Sequence, residues 1–182
     1  MANITWTKIA RRIRVPVGFA FTALYLWLAT PTVVSITLGS ALIIPGLAIR
    51  ALASGHVRKN ERLTTTGPYA YTRNPLYLGS LTLAVGFAIS ARNWWIGAGL
   101  VLIFLAIYVP VIRGEERFLE ELFPEYAEYA RHVPRLLPRL SSHSAGGEAF
   151  SWDLYWKHRE YNATLGAMAM MATLMAKMFW RQ

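Results

Sequence analysis

The stretch VVSITLGSALIIPGLAIRALA, residues 33–53, contains a single charged residue, Arg50. A helix rises about 1.5 Å per residue, so a helix over this stretch is long enough to cross the roughly 30 Å hydrocarbon core of a bilayer. Its apolar side chains surround the whole helix axis, whereas a surface helix of a soluble protein has a polar face. The stretch therefore predicts a membrane-spanning helix.

Further apolar segments lie on both sides of this stretch. Residues 15–30 precede it after a very short link, so the two segments are predicted to form an antiparallel hairpin. Residues 76–90 and 94–112 predict a second hairpin, and residues 163–180, rich in Met and Ala, predict a fifth helix. Large side chains at the end of the first segment disfavour a cleaved signal peptide. The predicted fold class is an all-α integral membrane helical bundle of two transmembrane hairpins plus a fifth helix, whose crossing of the bilayer stays open.

The composition agrees with a membrane protein and excludes several functions. Hydrophobic residues make up 54% of the 182 residues, with seven Trp and nine Tyr, which suit membrane interfaces. The chain has no Cys, which excludes disulfides, thiolate zinc sites and cysteine nucleophiles. Its four histidines are widely spaced, and no metal site is expected. The net charge of +9 falls in clusters between apolar segments, so we expect membrane lipids rather than nucleic acid as partners.

The basic residues also predict the orientation of the chain. On the hairpin topology, 16 of the 19 Lys and Arg residues lie on one side of the membrane, together with all ten carboxylates. Cytoplasmic loops carry an excess of Lys and Arg. The N terminus and both large polar stretches are therefore predicted to be cytoplasmic.

The first polar stretch ends in GPYAYTRNPLYLG, residues 67–79. Asn74 and Pro75 predict a helix start, with Asn74 as N-cap and Pro75 at the first helical position. A helix N-terminus favours anions, and Arg73 beside it offers a forked donor for a carboxylate. The nearby tyrosines can stack on a heterocycle or attract an organic cation. The stretch is thus a candidate ligand site.

The second polar stretch, residues 113–140, continues the fourth apolar helix out of the membrane. Arg113 and Glu116 are three residues apart and share one side of this helix. An ionisable pair at that depth is a functional candidate. Four further glutamates are expected on a solvated face: Glu120, Glu121, Glu125 and Glu128.

Together, two segments resemble the isoprenylcysteine carboxyl methyltransferase family, part of a wider group that includes phospholipid N-methyltransferases. They are LTTTGPYAYTRNPLYLG, residues 63–79, and EERFLEELFPEYAEYARHVPRLLP, residues 115–138. The resemblance covers roughly residues 50–138, about half the chain. Asn74 stands where the family usually has His; it can form hydrogen bonds but cannot be protonated.

The resemblance implies S-adenosyl-L-methionine (SAM) as the methyl donor and a lipid-like or isoprenylated acceptor. Arg50 and Arg113 would lie near the acceptor carboxylate, and Glu116 would hold the cofactor. The remaining residues expected to bind the cofactor are Thr65, Gly67, Tyr69, Arg73, Asn74 and Tyr77. A phospholipid amine acceptor, an NADPH-dependent membrane reductase and a non-enzymatic membrane protein remain as alternatives. The oligomeric state stays open.

The domain organisation expected from these segments has four parts. Residues 1–14 form a basic cytoplasmic N-terminus and residues 15–53 the first transmembrane hairpin. Residues 54–140 form the methyltransferase module, which includes the second hairpin at 76–112. Residues 141–182 form a flexible linker and the C-terminal helix.

Overall fold

The computed structural model describes residues 2–142 and 148–180, without the side chains of residues 2–5 and 7. Within these residues all regular structure is helical and no strand occurs. The helices are α1 (Ala2–Leu28), α2 (Val33–Ser54), α3 (Pro75–Ala91), α4 (Trp94–Ile103), α5 (Val109–Leu122), α6 (Tyr126–His132), α7 (Trp152–Lys157) and α8 (Tyr161–Trp180), with a 3₁₀ turn at Gly67–Ala70 and a π-helical segment at Phe104–Tyr108.

Three of the described helices are long and apolar enough to cross a membrane: Val33–Ser54, the continuous helix Trp94–Leu122, and Tyr161–Trp180. Pro75–Ala91 is equally apolar but shorter. The prediction of an all-α membrane helical bundle is confirmed. Helix α1 is not among the three, because it begins at Ala2 and includes the basic residues that the sequence placed in a separate N-terminal segment.

Helices α2 and α3 form the closest pair in the bundle, although the sequence assigned them to different hairpins. Glycines make this approach possible. A Cβ on Gly46 would lie 2.9 Å from the Gly79 carbonyl oxygen, and one on Gly86 would lie 2.7 Å from the Gly39 carbonyl oxygen. Small residues allow the backbones of membrane helices to approach each other closely. In lipid, close packing and not the hydrophobic effect drives the association of helices.

The turns that end α1 and α3 meet at one end of the bundle. The Thr30 amide donates a hydrogen bond to the Ala91 carbonyl (2.8 Å), and the Asn93 side chain donates to the Leu28 carbonyl (3.2 Å). Beneath them, Tyr25 and Leu174 are buried in a common apolar cluster. The large polar stretches therefore lie together at the opposite end.

The helix Trp94–Leu122 changes its winding near its middle. Over Phe104–Tyr108 it is π-helical, and the Val109 amide donates to the Phe104 carbonyl instead of to a carbonyl four residues back. Pro110 follows, and proline supplies no amide hydrogen to the helix. π-helical turns are frequent at functional sites, and Tyr108 lines a cavity described below.

The two polar stretches are joined by backbone hydrogen bonds. The Arg73 amide donates to the Pro134 carbonyl (2.9 Å), and the Arg139 amide donates to the Tyr71 carbonyl (3.0 Å). The buried Thr72 hydroxyl lies between these two contacts and donates to the Arg135 carbonyl (3.2 Å). The linker predicted after residue 140 lies largely outside the described residues.

Candidate functional site

A large cavity of about 790 Å³ opens where the two polar stretches meet the bundle. It lies within the usual size range of small-molecule sites. Five of the residues expected at the site line it: Arg50, Tyr69, Arg73, Asn74 and Tyr77. They come from the end of α2, the 3₁₀ turn and the start of α3. The fold therefore gathers residues from separate segments around one space.

Glu116 connects the two polar stretches from behind this cavity. Its carboxylate accepts hydrogen bonds from Asn74 Nδ2 (3.0 Å) and from Arg135 Nε (2.7 Å). Arg73 Nη2 lies 3.6 Å away. Glu116 is buried, and a buried carboxylate needs such partners because desolvation disfavours its charge. The pairing fixes Asn74 and Arg73 at the cavity wall.

Asn74 holds the position predicted for it, but its side chain acts differently. Helix α3 begins at Pro75, and Asn74 precedes it without making a side-chain capping bond. Its amide nitrogen donates instead to Glu116 and to the Arg135 carbonyl (3.0 Å). These two bonds hold the Asn74 side chain toward the second polar stretch, and its Oδ1 accepts no capping bond from α3.

Arg73 has unused hydrogen-bonding capacity. Its closest side-chain contacts are long: 3.5 Å from Nη1 to the Tyr126 hydroxyl and 3.6 Å from Nη2 to Glu116. Its Nε is buried with no partner among the described residues. Burial, reinforced by Glu116 and opposed by Arg73, raises the pKa of Tyr126 to about 12. The Arg73 Nε is thus a donor without an acceptor among the described residues, and it could bind an anionic group.

Two buried tyrosines hold the 3₁₀ turn in place. The Tyr129 hydroxyl donates to the Tyr69 carbonyl (2.7 Å). Burial raises the pKa of both hydroxyls above their usual value, so both stay neutral and the Tyr129 hydroxyl keeps the hydrogen that it donates. The turn begins at Gly67 with φ of +58°, and a Cβ there would lie 2.5 Å from the His56 ring. Gly67 therefore shapes the turn.

Arg50 forms a bidentate ion pair with a residue that sequence reasoning did not select. Its Nε and Nη2 donate to the two carboxylate oxygens of Glu160 at 2.6 and 3.0 Å, and its Nη1 donates to the Ser80 hydroxyl. Glu160 is buried and lies just before α8. The sequence did contain a signal for Glu160. It is an ionisable residue beside an apolar helix, and such a residue is a functional candidate for the same reason as Glu116.

An apolar cavity of about 260 Å³ continues from the polar one into the bundle. The two cavities share Tyr77, Ser80 and Tyr108. At this junction the Tyr77 hydroxyl donates to Glu115 (2.9 Å). The rest of the apolar cavity is lined mainly by hydrocarbon and aromatic side chains from α1, α3, α4 and α8. A molecule with a polar head and an apolar tail would match both spaces.

The structure does not bring every predicted site residue to the main cavity. Arg113 is exposed and, with Glu116, lines a separate cavity of about 680 Å³ on the other side of Arg73. Among the described residues, Thr65 and Gly67 line none of the three cavities. The solvated glutamate face is confirmed by the exposure of its four members, Glu120, Glu121, Glu125 and Glu128.

The chain is similar to several known proteins. The model of the phospholipid methyltransferase family matches residues 17–126. A cobalt-zinc-cadmium resistance protein of Cupriavidus metallidurans is 46% identical over 84 residues, which cover 46% of this chain and 39% of that protein. No solved structure matches the chain at a comparable level.

Two enzymes are also similar to the chain. The protein-S-isoprenylcysteine O-methyltransferase of Schizosaccharomyces pombe is 28% identical over 102 residues, covering 56% of this chain and 43% of the enzyme. The Homo sapiens protein of the same name is 28% identical over 118 residues, covering 62% and 42%. The chain thus spans about two-fifths of the length of the curated relatives that it matches.

Proposed function

The chain belongs to the phospholipid methyltransferase family, and we propose that it transfers a methyl group from SAM to a lipid-like acceptor. The observation that carries the proposal is the junction of a polar and an apolar cavity at Tyr77, Ser80 and Tyr108. A lipid-like acceptor can place its tail in the apolar space and its reacting head in the polar one. The basic distribution supports a cytoplasmic location for this head group.

The polar cavity fits the cofactor in both size and donor groups. Its volume of about 790 Å³ suits a nucleoside-sized molecule. Arg73 would pair with the amino-acid carboxylate, for which its buried and unpartnered Nε supplies a donor. The rings of Tyr69 and Tyr77 would lie near the sulfonium, where aromatic faces favour a cation. Bound there, the cofactor would supply an electrophilic methyl group.

Glu116 supports the cofactor site by holding its wall. It contacts Asn74 and Arg73 and thereby positions these two side chains, which border the polar cavity. Its own carboxylate borders the neighbouring cavity, so any effect on cofactor binding would pass in part through those neighbours. Thr65 and Gly67 would act in the same way, by shaping the loop that carries Tyr69.

The first candidate for the acceptor is the carboxylate of an isoprenylcysteine-type molecule. The two similar O-methyltransferases support this choice. Arg50 also supports it, because Arg50 lines the polar cavity and contacts Ser80 at the junction, and its planar fork can orient a carboxylate once Glu160 is displaced. A carboxylate attacks in line and needs no general base, so the residues would mainly align it and exclude water. Arg113 would approach the acceptor only from its own cavity.

A phospholipid amine is the second candidate, and a specific observation favours it. Two carboxylates line the polar cavity next to the junction: Glu115 accepts a hydrogen bond from Tyr77, and Glu160 pairs with Arg50, which contacts Ser80. An amine must lose a proton during methyl transfer, and a nearby carboxylate can accept it. One relative is named as a cobalt-zinc-cadmium resistance protein, and this name does not identify a methyl acceptor.

The proposal is tested with purified protein, methyl-labelled SAM and separate acceptors. An isoprenylcysteine analogue, a phospholipid with a primary amine and a lipid extract would each be incubated, and the labelled product identified. Labelled methyl ester supports the first candidate and labelled amine the second. Absence of label with every acceptor, together with thermal stabilisation by NADPH but not by S-adenosylhomocysteine, would refute the proposal in favour of a reductase. Absence of any stabilisation would favour a non-enzymatic protein.

Lysine variants test the two arginines separately. Lysine keeps the charge but loses the fork, so Arg50→Lys and Arg113→Lys should lower turnover of the isoprenylcysteine analogue much more than affinity for S-adenosylhomocysteine. Wild-type turnover in both variants would refute the carboxylate clamp. If Arg113→Lys retains wild-type turnover and Arg50→Lys does not, Arg50 alone would orient the acceptor carboxylate.

A further inference from the structure

The ion pair between Arg50 and Glu160 lies within the proposed acceptor site. Both guanidinium nitrogens that form the fork are engaged, at 2.6 and 3.0 Å from the carboxylate oxygens. The Glu160 side chain is only 9% exposed and that of Arg50 is 23% exposed. A forked guanidinium binds one carboxylate in this bidentate manner. An acceptor carboxylate and Glu160 therefore cannot use the same edge of Arg50 together.

Glu160 reaches Arg50 from a segment outside the part of the chain that matches the family, which ends at residue 126. We call residues 148–160 the C-terminal strap. The strap runs along the end of α2, where the Ser151 amide donates to the Gly55 carbonyl (3.0 Å). Farther along, His158 Nδ1 lies 3.0 Å from the Ser54 carbonyl oxygen. These contacts hold the strap against the helix that carries Arg50.

The backbone just before Glu160 adopts an uncommon conformation. Arg159 has φ of +53°, in the left-handed region that non-glycine residues adopt at a cost of about 1 kcal/mol or more. Such a conformation persists where the surrounding contacts require it. Here it separates α7 from α8 and accompanies the turn that brings Glu160 to Arg50.

We infer that Glu160 is a tethered carboxylate that occupies the acceptor-binding edge of Arg50 and thereby limits the binding of carboxylate acceptors. The inference rests on the proposed function. A carboxylate acceptor must displace Glu160, whereas an uncharged acceptor of the same shape need not. Glu160 is thus a specificity-determining residue that lowers the preference of the site for carboxylates.

The cavity offers other cations to a displaced Glu160. Arg11 and Arg14 line the same space as Glu160 and form no ion pair within the described residues. A buried carboxylate without a partner is strongly disfavoured, so such neighbours would reduce the cost of release. Displacement can then occur without the whole strap unfolding.

The test compares an isoprenylcysteine analogue with its carboxamide, using binding to purified protein in detergent. In wild type the carboxylate should bind little better than the carboxamide. In Glu160→Gln no charged side chain competes with the acceptor for the fork of Arg50. The ratio of the affinity for the carboxylate to that for the carboxamide should therefore rise about tenfold. In turnover, KM for the carboxylate should fall while the affinity for S-adenosylhomocysteine stays unchanged.

Glu61→Gln is the matched control. Lys157 of the strap pairs with Glu61 at 3.3 Å, and both side chains are more than half exposed. Loss of this pair loosens the strap without touching Arg50, so the affinity ratio should remain that of wild type. A rise of the ratio in Glu61→Gln equal to that in Glu160→Gln would overturn the inference, because mobility of the strap would then explain both.

An unchanged or lower ratio in Glu160→Gln would also overturn the inference. If that variant does not fold, Glu160→Asp keeps the charge but shortens the side chain by one methylene, and the ratio should rise by a smaller factor. Because the readout is binding, it does not depend on methyl transfer. A rise in the ratio without methylation of the analogue would support the tethered carboxylate and refute the carboxylate as methyl acceptor.

Discussion

Replacement of Glu116 by alanine should both destabilise the protein and weaken cofactor binding. The carboxylate is 9% exposed and holds Arg135, Asn74 and Arg73 at 2.7, 3.0 and 3.6 Å. Loss of one partner of a buried ion pair costs about 3–5 kcal/mol. Arg135 is 47% exposed, so water can solvate its charge after the carboxylate is removed and the loss is smaller. We therefore expect a loss of about 2–3 kcal/mol.

Thermal unfolding in detergent, followed by tryptophan fluorescence, measures this loss. At about 2–4 °C per kcal/mol for a chain of this size, the Tm of Glu116→Ala should fall by about 4–12 °C. Glu121→Ala is the control, since Glu121 is exposed on the same helix, and its Tm should stay close to that of wild type. Equal Tm values for the two variants would refute the role of Glu116 as the link between the polar stretches.

The same variant tests the cofactor site. Because Arg73 and Asn74 lose their common partner, affinity for S-adenosylhomocysteine should fall about tenfold or more. Titration calorimetry at a temperature well below the Tm separates this effect from unfolding. Unchanged affinity in a folded Glu116→Ala protein would show that Glu116 does not support the cofactor site.

Further predictions concern the turn, the buried Tyr129 and the orientation. Gly67→Ala should lower the Tm, because a side chain there meets the His56 ring at 2.5 Å and φ is +58°; a Tm equal to wild type would contradict this strain. Tyr129→Phe should cost about 1–3 kcal/mol by leaving the Tyr69 carbonyl unpaired. The wild-type Tm should fall above about pH 10, where Tyr129 ionises only in the unfolded chain, and this slope should weaken in Tyr129→Phe. With no native Cys, Asn60→Cys should react only from the cytoplasmic side of vesicles, and labelling from the outside alone would refute the orientation.

Patterns local to one segment were the most predictable from sequence. The span beginning at Val33 is recognisable because its apolar residues are continuous, and the start of α3 at Pro75 because proline fits the first helical position. The association of the two polar stretches was also foreseeable, since both end at the membrane boundary. Glu116 was selected by that position, and it does contact Asn74.

Features that depend on distant contacts were less predictable. A capping role for Asn74 follows from its place before Pro75, but acceptors from 42 and 61 residues away bind its amide instead. The pairing of Arg50 with Glu160 spans 110 residues, and no local pattern encodes it. The separation of Arg113 from Arg50 likewise depends on how α2 and α5 are rotated in the bundle, because this decides which cavity each arginine lines.

The glycines between α2 and α3 restrict how this site can evolve. At Gly39, Gly46, Gly79 and Gly86 an added methyl group would meet the main chain of the other helix, so substitution there would shift a whole helix and not one side chain. Arg50 follows one turn after Gly46 and would move with it. If the proposed function holds, divergence in acceptor size is therefore expected on α1 and α8, whose side chains face the apolar cavity and can change volume without displacing Arg50.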